Sequence, residues 1–386
     1  MLRSASLLFP APCGLIQPRF RCSKAKRVVT TRAHTMSGGL PEFGFVFDID
    51  GVLIRGWDLL PNAKESLKKV HDSGVPYLFV TNNGMDTEDE RAKILSKQFD
   101  IPVTNKSMVL NHSALQNHAN DFGDELVLVT GYSRTSLKGV LKSYGFKNVA
   151  LISEFAACHP HALPNKKYPE VKDRAWADKP VAAVVVVETP ENWHEDLQVV
   201  CDLLRSTGNI NELAEDNKQH VKLFNCNFDF TYAEHFHTAR FGPGAFIQLL
   251  DVLFHESTGR HIEIIRHGKP NKPAYEIAAK KLQAQLDALA KEVPQGEQKS
   301  HTLKHVYAVG DNPKSDVRGA NSAGNIWRSI LVCTGVYKGG VKSNDKEDPA
   351  HYVVEGVGEA VDKVFDIEKQ RSLGRAASQE LTESKK

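Results

Sequence analysis

The segment 44–53 reads Gly-Phe-Val-Phe-Asp-Ile-Asp-Gly-Val-Leu, and it decides the fold class. Its apolar first part is typical of a strand that is buried on both faces, and the run stops at Asp48 and Asp50. Two other apolar runs, residues 77–80 and 305–309, also end at polar residues. Because helical stretches alternate with the runs, we predict an α/β fold with a doubly wound, mostly parallel sheet.

The polar residues after these runs form a candidate site. In open parallel sheets ligands bind outside the carboxyl ends of the strands, so side chains that follow different strands meet there. Carboxylates gathered at one edge repel one another unless a cation neutralises them, and oxygen ligands suit Mg²⁺. The residues concerned are Asp48, Asp50, Thr81, Asn82, Asp311 and Asp316. Lys269, between a glycine and a proline, is a candidate to balance the remaining charge.

Length and composition limit the class of protein. A chain of 386 residues exceeds what one compact core usually holds, so two domains are expected. With 41% hydrophobic and 25% charged residues, the composition excludes collagen, coiled coil and wholesale disorder. A net charge of +2 gives no basic footprint for nucleic acid. The longest apolar run, Val181 to Val187, is far shorter than the roughly 20 residues of a membrane span, so no transmembrane segment is expected.

The first residues of the chain have a different character from the rest. The first acidic residue is Glu42, and seven basic residues precede it: Arg3, Arg19, Arg21, Lys24, Lys26, Arg27 and Arg32. An acid-poor, arginine-bearing leader without a long apolar run is typical of a transit peptide. We predict a mitochondrial location, in the matrix, with the plastid as a minor alternative. A disordered arm without targeting information is the other interpretation of this leader.

Taken singly, each short motif is also compatible with a turn or a helix cap. Their order along the chain is more specific, and it resembles the haloacid dehalogenase (HAD) superfamily. Residues 47–53 resemble its first motif, Thr81-Asn82 its second, Lys269 its third and residues 310–316 its fourth. The long insertion between the second and third motifs resembles class IIA phosphatases, which carry an α/β cap there. The resemblance extends from about residue 43 to residue 364.

The resemblance implies a division of the chain into five segments. They are a leader at 1–41, a first core part at 42–115, an inserted α/β cap at 116–261, a second core part at 262–372 and a polar tail at 373–386. From Glu368 onward we expect the chain to be frayed, because its sequence is polar.

The resemblance also implies a role for each motif residue. Asp48 is the nucleophile that forms an aspartyl-phosphate, and Asp50 is the acid that protonates the leaving group and later activates water. Thr81 and the amide of Asn82 hold a phosphoryl oxygen, and Lys269 fixes Asp48. The implied Mg²⁺ ligands are the Asp48 carboxylate, the Asp50 carbonyl and the Asp311 carboxylate. Asp316 is implied to contact the ion either directly or from the next layer of residues around it.

A further candidate segment lies in the predicted cap, at Asn227 and Asp229. In class IIA proteins a similar Asn-x-Asp segment faces the metal site across the cleft. We predict that this loop contacts the part of the substrate that is not phosphate. The alternative is a plain turn at the end of a strand, since Asn and Asp favour turns.

The predicted activity is Mg²⁺-dependent hydrolysis of a small phosphorylated metabolite in mitochondria, with a conceivable link to glycerophospholipid metabolism. A cap over the site favours a small metabolite over a protein or nucleic acid. The rival hypothesis is a slow or silent HAD-fold protein that acts as an interaction or assembly partner. The substrate and the oligomeric state stay open at the level of sequence.

Overall fold

The structure is a computed structural model, and it describes residues 40–131, 134–168, 175–232, 236–292 and 301–383. All but the last two residues of the predicted leader, 1–41, therefore lie outside the described residues.

Strands and helices alternate along most of the described chain. The strands are β1 Phe43–Phe47, β2 Ile54–Arg55, β3 Asp58–Leu59, β4 Tyr77–Val80, β5 Met108–Val109, β6 Leu126–Thr130, β7 Asn148–Leu151, β8 Val181–Val186, β9 Lys222–Asn225, β10 Thr231–Tyr232, β11 Arg240–Phe241, β12 Ile264–Arg266, β13 His305–Gly310, β14 Trp327–Val332 and β15 Tyr352–Val354. The helices are α1 Ala63–Asp72, α2 Glu88–Phe99, α3 Ala119–Phe122, α4 Arg134–Ser143, α5 Ile152–Cys158, α6 Trp193–Leu204, α7 Pro243–Thr258, α8 Lys272–Lys291, α9 Arg318–Ser322 and α10 Val357–Glu383. A turn of π-helix, Pro313–Val317, precedes α9.

Six strands form the main sheet, in the order β15-β14-β13-β1-β4-β5, and every neighbouring pair is parallel. Alternate side chains of β1 point to opposite faces, as in any strand. Phe45 and Phe47 belong to the core that includes α1, α2 and α10. Val46 belongs to the core on the other face, with Leu282 and Leu286 of α8. Helices therefore cover both faces, and the predicted doubly wound sheet is confirmed.

A second sheet of five parallel strands, in the order β12-β9-β8-β6-β7, lies between the two halves of the main sheet in sequence. Its strands are also buried on both faces, since β8 contributes Val184 and Val186 to one core and Val185 to the other. The predicted inserted α/β unit is thus present. Strand β12 pairs with β9, so the second sheet extends to Arg266. It therefore continues past residue 262, where we predicted that the cap ends and the second core part begins.

The end of the chain differs from the prediction. Residues from Glu368 to Glu383, expected to be frayed, lie in helix α10. Glu368 is buried and accepts hydrogen bonds from the Tyr307 hydroxyl and the Arg371 guanidinium, both at 2.6 Å. These contacts bind the polar helix to the main sheet, and the segment contains no proline that would end it. No helix within the described ranges combines the length and apolarity that a membrane span requires.

Candidate active site

Three neighbouring strands of the main sheet end in polar residues. Asp48 follows β1, Thr81 follows β4 on one side, and Asp311 follows β13 on the other. All three side chains are buried. The carboxyl edge of the sheet therefore brings together residues that are more than 200 positions apart, as expected for a ligand site in an open parallel sheet.

Lys269 provides the positive charge at this edge. Its ammonium Nζ lies 2.7 Å from Oδ1 of Asp48 and 2.6 Å from Oδ1 of Asp316, and all three side chains are buried. Burial alone would lower the pKa of Lys269, but the carboxylates of Asp316 and Asp48 outweigh this effect and hold that pKa well above its usual value. Lys269 is therefore a permanent cation that holds the two carboxylates together.

Asp316 is fixed by the backbone as well as by Lys269. Its Oδ2 accepts hydrogen bonds from the backbone N–H groups of Asp311, at 3.1 Å, and of Asn312, at 3.0 Å. This contact requires glycine at position 310, since a Cβ there would lie 2.2 Å from the Cβ of Asp316. The strand end and the π-helical turn thus form one compact unit around this carboxylate.

Asp311 packs against a second glycine. Its Oδ2 accepts a hydrogen bond from the backbone N–H of Val336 at 2.5 Å. A Cβ on Gly335 would lie 1.8 Å from the same oxygen, so the backbone can approach this closely only without a side chain.

The carboxylates of Asp48, Asp311 and Asp316 suit a divalent cation. Each offers an oxygen, and these oxygens all lie within 4.8 Å of one another. Burial raises the pKa of Asp48 well above its ordinary value, and burial with the charge of Asp316 raises the pKa of Asp311 to about 7. Three buried carboxylates beside one ammonium leave an excess of negative charge. An oxygen-only donor set with this charge fits a hard ion such as Mg²⁺.

Asp50 lies at the rim of the site rather than in the group of three carboxylates. It is exposed, and its backbone forms a bridge with Ile54, where the hairpin of β2 and β3 begins. Its charge still acts inside the site, since it contributes to a raised pKa at Glu188. An exposed acid at the mouth is in reach of solvent water.

Thr81 and Asn82 have different partners. The Thr81 hydroxyl accepts a hydrogen bond from the N–H of Asn83 at 3.1 Å. The Asn82 side chain holds the backbone of Lys269, because its Oδ1 accepts from the Lys269 N–H at 2.8 Å and its Nδ2 donates to the Lys269 carbonyl at 3.1 Å. Asn82 therefore positions the segment that carries the site's buried ammonium.

The two predicted cap residues contact Asn82 directly. Asp229 Oδ2 accepts a hydrogen bond from Asn82 Nδ2 at 3.0 Å, and Asn227 Nδ2 donates to the Asn82 carbonyl at 3.1 Å. The side chain of Asn227 also accepts from the N–H of Asp229 at 2.9 Å, which closes a turn. The loop is thus both a turn and a contact between the second sheet and the carboxyl edge of the main sheet.

Two further residues, Glu188 and Asn111, belong to this junction and were not among the site residues predicted from the sequence. Glu188 Oε1 accepts hydrogen bonds from the N–H of Gly84 at 2.7 Å and from Asn111 Nδ2 at 3.1 Å. Asn111 Nδ2 also lies 2.8 Å from the carbonyl of Val187. Burial, with the charges of Asp229 and Asp50, raises the pKa of Glu188 to about 8. Both residues stand just after apolar strands, the same signal that pointed to Asp48.

Two family models match the two parts of the chain that form this site. Residues 45–147 match haloacid dehalogenase-like hydrolases, and residues 266–360 match a second HAD-hydrolase-like model. The chain is 30% identical over 345 residues to the mitochondrial hydrolase YKR070W of Saccharomyces cerevisiae, covering 84% of this chain and 96% of that relative. The chain belongs to the haloacid dehalogenase-like hydrolase family. The predicted resemblance and the prediction of a hydrolase are confirmed.

Two more similarities extend the comparison. The chain is 31% identical over 344 residues to a cardiolipin synthase (CMP-forming) / mitochondrial hydrolase fusion protein of Schizosaccharomyces pombe, covering 87% of this chain and 55% of the fusion protein. The solved structure of a possible sugar phosphatase of the HAD superfamily from Cytophaga hutchinsonii has a TM-score of 0.58 at 20% identity, and covers 82% of this chain and 95% of that chain. At this identity, the second similarity supports the fold.

The raised pKa of Asp311 predicts how stability depends on pH and metal. In the metal-free protein its pKa is about 7, against an ordinary 3.8, so the folded state binds this proton more tightly than the unfolded chain. The resulting stabilisation is complete below the ordinary pKa and is lost as the pH rises through the raised one. We expect the metal-free Tm to fall between about pH 5 and about pH 8, and Mg²⁺ at 100 times its Kd to restore about 2.7 kcal/mol at the higher pH.

Differential scanning calorimetry with EDTA or Mg²⁺ at both pH values checks this. Asp311→Asn should remove most of the fall in the metal-free Tm between the two pH values. Asp216→Asn, a substitution at an exposed position, should leave that fall unchanged. An equal effect of Mg²⁺ at the two pH values would contradict the assignment of the cation to these carboxylates.

Proposed function

We propose that the protein is a Mg²⁺-dependent phosphatase that hydrolyses a phosphomonoester of a small metabolite. The observation that carries the proposal is the buried Asp48 carboxylate, held 2.7 Å from the Lys269 ammonium. It stands at the position of the family's nucleophile, and an acid, Asp50, follows two residues later. Membership in a hydrolase family supports this interpretation.

In the first step Asp48 attacks phosphorus. A bond forms between a carboxylate oxygen and phosphorus while the bond from phosphorus to the alcohol oxygen breaks, and Asp50 gives its proton to the departing oxygen. Lys269 holds Asp48 in place. The Thr81 hydroxyl and nearby backbone amides bind the phosphoryl oxygens.

In the second step water attacks the phosphoryl group of the aspartyl-phosphate. Asp50, now ionised, takes a proton from the water, and the bond from phosphorus to Asp48 breaks to release inorganic phosphate. Asp48, Asp311 and Asp316, with the Asp50 carbonyl, would hold Mg²⁺, which supplies positive charge beside the phosphoryl oxygens. Fixed charges of this kind provide most of what phosphoryl transfer needs.

We further propose that the enzyme acts in mitochondria. The acid-poor leader supports this, and both curated relatives described above have names that include "mitochondrial hydrolase". The fusion of a similar hydrolase to a cardiolipin synthase in S. pombe favours a substrate from glycerophospholipid metabolism.

The first prediction about this proposed activity concerns Asp48 and Asp50. Asp48→Asn removes the attacking anion and should lower kcat/KM for p-nitrophenyl phosphate by at least about 10³-fold, about 4 kcal/mol of transition-state stabilisation. Asp50→Asn should slow turnover while phosphoenzyme accumulates. Phosphate release and acid-quench trapping of phosphoenzyme measure the two effects.

Asp72→Asn is the matched control, since Asp72 is exposed and forms a surface ion pair with Lys68, four residues earlier in the chain. Equal rates for wild type and Asp48→Asn would contradict the mechanism. Absence of phosphate release from any ester in the presence of Mg²⁺ would favour the silent interaction partner instead.

The second prediction concerns Asp229. The sequence predicts that Asp229 contacts the non-phosphate part of the substrate, so that the hydrolysis of small esters would be unaffected by its loss. Because Asp229 also binds Asn82, which holds Lys269, we expect Asp229→Ala to lower kcat/KM about tenfold for p-nitrophenyl phosphate as well. The exposed Asp216→Ala should have no effect. Full activity of Asp229→Ala on the small ester would show that the loop acts on the leaving group alone.

The third prediction concerns the location. Residues 1–40 fused to a fluorescent reporter should direct it to mitochondria, because the leader carries positive charge without an acidic residue. Replacing its arginines by glutamine should leave the reporter in the cytosol. A cytosolic or plastid signal from the unchanged leader would refute the proposed compartment.

A further inference from the structure

Tyr275, near the start of α8, holds the backbone of the turn that carries Asp316. Its hydroxyl lies 3.1 Å from the carbonyl oxygen of Ser315 and 3.2 Å from that of Asp316, so one O–H group donates to two acceptors. The side chain is buried, which removes this hydroxyl from bulk solvent. A π-helical turn such as Pro313–Val317 is a rare conformation that recurs at functional sites, and here a residue outside the turn fixes it.

The neighbours of Tyr275 allow its ring to come close to this turn. A Cβ on Gly319, in α9, would lie 2.2 Å from the hydroxyl oxygen of Tyr275 and 2.4 Å from two of its ring carbons. A side chain at position 319 would therefore displace the tyrosine, because the ring lies directly against the helix backbone. The indole of Trp327, in β14, packs edge-on against the same ring, with the ring centroids 5.2 Å apart. These two contacts fix the ring where its hydroxyl reaches the turn.

Lys269 and Tyr275 belong to one short segment of the chain, and both contact Asp316. Lys269 binds Oδ1 of the carboxylate at 2.6 Å, whereas Tyr275 binds the backbone carbonyl. The other carboxylate oxygen of Asp316 accepts a hydrogen bond from the backbone N–H of Asp311. A movement of the turn would therefore shift the ammonium and two of the three clustered carboxylates together.

A small cavity shows that Tyr275 borders the charged groups of the site. It has a volume of about 10 Å³ and is lined by Asp48, Lys269, Asp316 and Tyr275, with apolar side chains of the main sheet around them. The tyrosine thus borders the same space as the three charged side chains. Space for about one water molecule leaves these side chains room to shift when the turn is not held. The Tyr275 hydroxyl is placed to limit such a shift.

We propose that Tyr275 is a positioning residue, whose hydroxyl holds the Pro313–Val317 turn so that Asp311 and Asp316 keep the arrangement that binds a divalent cation. It acts through these residues and takes no part in making or breaking bonds. Residues that fix metal ligands in this way typically contribute about 10- to 100-fold in metal affinity. This inference rests on the proposed Mg²⁺-dependent phosphatase function and adds a residue outside the four motifs named above.

The test compares two tyrosine-to-phenylalanine variants of the full-length protein. Tyr275→Phe removes the hydroxyl and retains the ring that packs against Trp327. Tyr307→Phe is the matched control, because Tyr307 is also buried but its hydroxyl donates to Glu368 of α10 rather than to the turn. Isothermal titration calorimetry with Mg²⁺ alone gives the Kd of each protein for the ion. Hydrolysis of p-nitrophenyl phosphate over a range of Mg²⁺ concentrations gives kcat and KM.

We expect Tyr275→Phe to raise the Kd for Mg²⁺ at least about tenfold and Tyr307→Phe to leave it within about twofold of wild type. At limiting Mg²⁺ the kcat of Tyr275→Phe should fall about tenfold, and saturating Mg²⁺ should restore it to within about threefold, with KM for the ester unchanged. A mere loss of stability leaves the Kd of the folded protein unchanged.

A second pair of variants tests the same contact from α9. Gly319→Ala retains the Tyr275 hydroxyl but displaces it from the turn, so it should also raise the Kd for Mg²⁺. Gly139→Ala is its control, because no atom lies within 4 Å of the position that the new Cβ would take. This control should leave the Kd unchanged. If Tyr275→Phe fails to fold, the two glycine variants decide.

An unchanged Kd for Mg²⁺ in Tyr275→Phe, or an equal rise in Tyr307→Phe, would overturn the inference. If wild type hydrolyses p-nitrophenyl phosphate and Tyr275→Phe binds Mg²⁺ normally, only this inference fails. If wild type hydrolyses no ester and Tyr275→Phe still weakens Mg²⁺ binding, the proposed function fails and the positioning role stands. Absence of any Mg²⁺ binding by wild type would refute both.

Discussion

Two buried carboxylates, those of Asp48 and Asp316, share the single ammonium group of Lys269. The ammonium offsets the cost of burying the two carboxylates, because burial disfavours a charge unless a partner compensates it. Removing one partner of a buried ion pair costs about 3–5 kcal/mol, since the other charge is left uncompensated. These three side chains are held at their mutual distances by the ends of the strands, by the glycine contacts and by the junction between the two sheets.

The position of Lys269 depends on both sheets. It follows β12, the edge strand of the second sheet, yet its ammonium points to residues of the first. Asn82 joins the two, since its side-chain amide bonds the N–H and the carbonyl of Lys269 and also Asp229. The position of the second sheet and the placement of the Lys269 ammonium therefore depend on the same contacts. A shift at the junction moves Lys269 with it.

The sequence allowed the strands and the first set of site residues to be predicted because both depend on local patterns. An apolar run followed by Asp or Thr is visible in a few residues, and the parallel topology brings such ends together. The contacts of Asn82 were not predictable in this way, since they join residues 147 and 187 positions apart. Helix α10 was misjudged for a related reason: the polar residue Glu368 is buried only because Tyr307 and Arg371 meet it.

Charge explains why the site needs a cation even before chemistry begins. The carboxylates of Asp48, Asp311 and Asp316 outnumber the single ammonium of Lys269 among the buried side chains at this edge. A phosphate dianion that approaches this edge meets net repulsion from the protein. In the proposed mechanism, positive charge held by the three carboxylates reverses the potential at the phosphate and so allows the dianion to reach Asp48.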